Sequence, residues 1–129
     1  MAGLCLVLIS ERTSVYSFID GILTDPNDSI LLIDFECEYN ISNNRSIDVL
    51  HTETIAEDYP QNIIVVNRIN SLVHSPVEMQ IRLNILSELV YNDKTVYMIT
   101  SYKYSHTQKV VPYMKYIERM VDIKSTISA

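Results

Sequence analysis

Ser29-Ile30-Leu31-Leu32-Ile33-Asp34-Phe35-Glu36 is the stretch on which the fold turns. The apolar run Ile30 to Ile33 is too short for a helix and lacks the alternation of a strand with one wet face. It suits a strand covered on both faces, the kind that parallel sheets produce. Carboxylates then appear as Asp34, Glu36 and Glu38, at the strand end where parallel sheets bind their ligands. Leu4 to Ile9 repeats the pattern, as does Ile63 to Val66 after the Tyr59-Pro60 break. Thr95 to Thr100 is a fourth strand, with Val96, Met98 and Thr100 alternating against Tyr97 and Ile99, and Ile47 to Leu50 is a candidate short strand.

Helical spacing fills the intervals. Val15, Phe18, Ile19, Ile22 and Leu23 recur at i, i+3, i+4, i+7 and i+8, which predicts a helix with one buried stripe. Ser75-Pro76 opens a second helix, with Pro near its first position and Glu78 in its first turn. Met79, Leu83, Leu86 and Val90 with Ile81, Ile85 and Leu89 give it a wide apolar face as far as Asn92-Asp93. Ser101 to Gln108 is a polar and aromatic loop, and Val111 to Val121 is a short helix or strand. The order is strand, helix, strand, strand, helix, strand, an α/β plan with a mainly parallel sheet and right-handed crossovers.

With 129 residues, 47% of them hydrophobic and 20% charged, the chain is expected to form one domain that needs neither disulfides nor a metal to fold. Cys5 and Cys37 lie in or beside apolar runs and make no redox or zinc pattern, and His51, His74 and His106 have no ligand spacing. Met1 to Ile9 has no basic residue before it and meets Glu11 and Arg12 at once, so it is not read as a signal peptide. No run approaches the roughly 18 apolar residues of a membrane span. A cytosolic or nuclear protein is expected. The net charge of -6 is unevenly spread: residues 1 to 100 hold five basic against fourteen acidic residues, and residues 101 to 129 hold five basic against Glu118 and Asp122. An acidic body disfavours strong nucleic-acid binding by this chain alone, while the basic tail suits phosphate contact within an assembly.

A phosphate cradle at the first strand-helix junction requires glycines for close backbone approach, a Lys for the phosphates and a Ser/Thr hydroxyl for magnesium. Gly3 and Gly21 are the chain's glycines and neither lies in that loop. No nucleotide or other cofactor is therefore expected. The layout nevertheless resembles the RecA-type (P-loop NTPase-like) recombinase core, in particular the eukaryotic recombinase paralogues. Ser29 to Glu36 resembles that family's strand ending in Ile-Asp-x-Glu. Asn62-Ile63-Ile64-Val65-Val66-Asn67-Arg68-Ile69-Asn70-Ser71-Leu72 is similar to its Walker B strand and following turn. Arg82-Leu83-Asn84-Ile85-Leu86 and the strand Val96-Tyr97-Met98-Ile99-Thr100-Ser101-Tyr102 resemble its helix and its strand ending in Thr-Asn-Gln. The likeness covers most of residues 4 to 102 and rests on the order and spacing of these windows.

Departures from the pattern decide what the resemblance implies. With Ile9 to Tyr16 in the Walker A window, Ser14 stands at its last Gly, Val15 at the phosphate-binding Lys and Tyr16 at the Ser/Thr. Asn67 stands at the Walker B Asp and Tyr102 at the sensing Gln, while Glu36 alone keeps the place of the water-activating glutamate. Without a phosphate site Glu36 has no substrate, and Asp34, Glu36 and Glu38 are read as a solvated strand end. The resemblance thus implies a single truncated RecA-like core with a degenerate nucleotide site. Such a chain is a non-catalytic nuclear subunit of the kind found in Shu-type recombinase mediator complexes, where small paralogues pair and assist the recombinase on single-stranded DNA.

Tyr102 to Lys109 interleaves aromatics with positive charge, as stacking plus phosphate neutralisation on single strands requires. The candidate DNA contacts are Lys103, Tyr104, Lys109, Lys115 and Arg119. Sheet edges of a small α/β domain are a hazard that another chain covers, so a hetero-oligomer with other RecA-like or recombinase-paralogue subunits is expected, with Tyr16, Phe35 and Tyr39 as candidate interface residues. Two other readings stand beside this one: an accessory RecA-like subunit of an Elongator-type tRNA-modification complex, which would be cytoplasmic, and a small-ligand enzyme using Asp34 and Glu36.

Overall fold

The structure, a computed structural model, describes residues 3–9, 28–34, 47–50, 55–56, 58–69, 73, 75–100, 114–121 and 123–127. Among the described residues six strands form one sheet: β1 (Gly3–Ile9), β2 (Ile30–Asp34), β3 (Ile47–Leu50), β4 (Ile63–Asn67), β5 (Thr95–Thr100) and β6 (Ile123–Ile127). Their order across the sheet is β3-β2-β4-β5-β1-β6. All five ladders are parallel. Helix α1 (Pro76–Tyr91) links β4 to β5, and α2 (Met114–Met120) precedes β6. The α/β plan with a parallel sheet read from the sequence is therefore the observed one.

The continuous apolar runs follow from burial on both faces. β2 and β4 are buried at every residue. One face of the sheet (Leu4, Leu6, Leu31, Ile33, Ile64, Val66, Val96, Met98) packs with Met79, Leu83, Leu86 and Leu89 of α1 and Met114 and Ile117 of α2. The opposite face carries Ile30, Leu32, Val65 and Ile99, also closed to solvent. With right-handed crossovers, connections that step in one direction along the sheet share a face. The steps β4 to β5 and β5 to β6 run the same way, so α1 and α2 lie side by side on that face.

Helix α1 begins where the sequence predicts. The Ser75 hydroxyl accepts from the Glu78 N–H at 3.2 Å and Pro76 occupies the first turn. Its end is a Schellman turn: the Asp93 N–H donates to the Val90 carbonyl and the Lys94 N–H to the Leu89 carbonyl, each at 3.0 Å. Asp93 takes φ 65° at the position where glycine is usual. Ile81, expected on the apolar face, instead points outward, because the stripe against the sheet is filled by Met79, Leu83, Leu86 and Leu89.

A side-chain clamp fixes the register at the amino edge of the sheet. Asn62 Oδ1 accepts from the Ser29 N–H at 2.7 Å and from its hydroxyl at 3.0 Å, and Asn62 Nδ2 donates to Asp28 Oδ1 at 2.9 Å. Gln61 Nε2 donates to Asp48 Oδ2 at 2.7 Å, tying β3 to the start of β4. Residues 123–127 form an edge strand that periodicity does not reveal, since Ile123-Lys124-Ser125-Thr126-Ile127 is a short mixed run. The helix expected over Val15 to Leu23 and Cys37 lie outside the described residues.

Candidate functional site: the carboxyl edge of the sheet

Because the strands are parallel, the ends of β2, β4 and β5 lie along one edge, and each carries one buried polar residue: Asp34, Asn67 and Thr100. The chain leaves β2 towards one border of the sheet and β4 towards the other. The strand order reverses between them, which is where open α/β sheets form a ligand crevice. Asp34 and Asn67 are paired residues across that reversal. Asn67 Nδ2 donates to Asp34 Oδ1 at 3.2 Å, and the two residues are 0% and 1% exposed. The solvated strand end expected at Asp34 is thus corrected: the sheet extends through it, and the amide across the ladder gives its carboxylate a partner away from water.

The backbone turns sharply after this pair. Arg68 has φ 57°, a left-handed conformation that costs a side-chain-bearing residue roughly 1–2 kcal/mol. Two hydrogen bonds hold it: the Arg68 N–H donates to the Ile99 carbonyl at 2.8 Å, and Arg82 Nη1 of α1 donates to the Ile69 carbonyl at 2.8 Å. The exit from β4 is therefore fixed by both its neighbouring strand and the helix above it. The amide and the carboxylate join the two strands across the reversal.

Among the described residues no group of three or more His, Cys, Asp or Glu is placed to hold a metal ion, and no helix is long and apolar enough to cross a membrane. Among the described residues one titrating group departs from its ordinary value: Tyr97, on β5 opposite Cys5, is raised by burial, then by Cys5 and Asp28. Of the candidate DNA contacts, Lys115 and Arg119 are exposed on α2, one turn apart. Lys103, Tyr104 and Lys109 lie outside the described residues, as do Tyr16, Phe35, Tyr39, Glu36 and Tyr102. Asn67 as the partner of Asp34 was not foreseen from the sequence; an amide at the end of an otherwise apolar inner strand was the available signal. No protein-family model matches this chain, and no curated protein matches it significantly.

Proposed function

We propose that this chain is a non-catalytic RecA-like subunit of a nuclear complex that assists homologous recombination and DNA repair, working through contacts with related subunits and with single-stranded DNA. One observation carries the reading. The strands within the windows resembling the family's glutamate, Walker B and sensing strands are three parallel neighbours that end at Asp34, Asn67 and Thr100, and β1, after which the Walker A window begins, ends at the same edge. A shared nucleotide site needs its parts at one edge. Here the residue in the place of the Walker B carboxylate is an amide, and it is spent on Asp34. That supports a core kept for its shape after its phosphate chemistry was lost.

The basic, aromatic tail supplies the DNA contact in this reading, with Lys115 and Arg119 on the exposed side of α2. The test is to purify the chain at native level from its own cells and identify by mass spectrometry what accompanies it. A recombinase or another RecA-like chain supports the proposal; tRNA-modification subunits in their place refute it. The DNA part has its own assay in the assembled complex, where Lys103→Ala with Lys109→Ala weakens single-strand binding and flattens its salt dependence. Unchanged affinity and slope remove DNA from the proposal.

A further inference from the structure

The outer sides of the two helices differ, and of that surface the function above uses Lys115 and Arg119 alone. On α1, Val77, Ile81, Asn84, Glu88 and Tyr91 fall on one solvent-facing stripe, the helical side opposite Met79, Leu83 and Leu86. Val77 is 68% exposed, Ile81 54% and Tyr91 91%. The exposed charges of this helix and its cap are Glu78, Glu88 and Asp93, all acidic. On α2 the outward residues are Lys115, Tyr116 and Arg119, with Tyr116 37% exposed. Lys115 and Arg119 make no ion pair among the described residues. One face of the molecule thus sets an acidic, apolar ridge beside a basic, aromatic one.

We infer that this face is the contact between two copies of the chain, with α1 of each copy seated on α2 of the other. A two-fold axis lying along the groove between the helices makes both pairings at once, so the surface is complementary to itself. The acidic outer side of α1 then faces Lys115 and Arg119 of the second copy, and the apolar side chains leave water together. Either helix against its own copy would set like charges face to face, which selects the crossed pairing. The four apolar side chains leave on the order of 500 Å2 uncovered on one copy, so two copies reach the roughly 1,000 Å2 that a specific interface requires. The inference does not depend on the recombination reading and leaves the carboxyl edge of the sheet free, but it engages Lys115 and Arg119, so in the dimer the DNA contact of that reading falls to Lys103, Tyr104 and Lys109.

The test is light scattering coupled to size exclusion on the full chain, loaded from about 1 to 100 μM, a range spanning micromolar dissociation constants. The expected species has twice the 14.9 kDa chain mass, and added salt weakens it. Glu78→Lys with Glu88→Lys makes both helices basic, and Lys115→Glu with Arg119→Glu makes both acidic. Each variant alone is expected to be monomeric, self-associating at least about tenfold more weakly, and the two mixed are expected to form a one-to-one dimer. Ile81→Glu, at an exposed position, gives the same loss without touching a charge pair. A wild-type chain that stays monomeric at the highest concentration, or enlarges only with a different protein, overturns the inference. So does a dimer that survives either charge variant alone.

Discussion

Asn67→Ala removes the amide that Asp34 uses at the carboxyl edge. A hydrogen bond to a charged group contributes roughly 1.5–3 kcal/mol net, and a buried acceptor left without its donor loses more than an exposed one. The 3.2 Å separation is at the long end of the N–H···O range and places the loss in the lower half, about 2 kcal/mol. With an urea dependence of about 1–3 kcal/mol per molar, the midpoint falls by about 1 M. Asn67→Asp costs more, about 3 kcal/mol or above, because two carboxylates then face each other in register at buried positions. Asp34→Asn combined with Asn67→Asp exchanges donor and acceptor and recovers most of that loss. The assay is urea unfolding followed by circular dichroism for all four chains. Asn67→Ala costing under about 0.5 kcal/mol, a small fraction of an ordinary hydrogen bond to charge, would refute the reasoning. A double variant no more stable than Asn67→Asp would refute it equally.

Asp93→Gly relieves the left-handed backbone of the Schellman turn and takes a negative charge from a helix carboxyl end; a gain of about 1 kcal/mol is expected, read as a melting temperature higher by roughly 3 °C. Ser75→Ala deletes the cap at the other end of α1 and costs about 1 kcal/mol, measured by the same melt. Leu86→Ala opens a void beneath the helix at a fully buried position and costs roughly 2–5 kcal/mol in urea unfolding. Tyr97 has a folded pKa above its unfolded value of 10.0, so its neutral form favours the fold below that value and the contribution disappears as pH rises through the folded pKa. Alkaline unfolding followed by tyrosinate absorbance shows this loss, and Tyr97→Phe abolishes the Tyr97 part of it.

Most of the fold was legible because burial on both faces leaves an unmistakable mark: runs such as Leu31-Leu32-Ile33 and Ile63-Ile64-Val65-Val66 have no alternation to confuse with a one-sided strand. The cap at Ser75 and the stop at Asn92-Asp93 were local chemistry and equally readable. Ile81 was misplaced because apolar character alone does not say which side of a helix meets the sheet; the neighbours at 79, 83, 86 and 89 had already filled that side. β6 escaped notice because an edge strand needs no long apolar run. Asp34 was read as solvated since nothing local reveals a partner 33 positions away, and only the parallel register brings Asn67 beside it. The left-handed turn at Arg68 has no sequence mark either, as neither glycine nor asparagine occupies it.

The position of β1 bears on how the chain is made. Its ladder partners are β5 and β6, both made long after it. About 85 residues separate Ile9 from Thr95, and at roughly 5–20 residues per second their synthesis takes about 4–17 s. During that time Leu4, Cys5, Leu6, Val7, Leu8 and Ile9 have no ladder to join, while β2, β3 and β4 are already able to pair. The growing chain therefore carries this apolar segment unpaired throughout that interval.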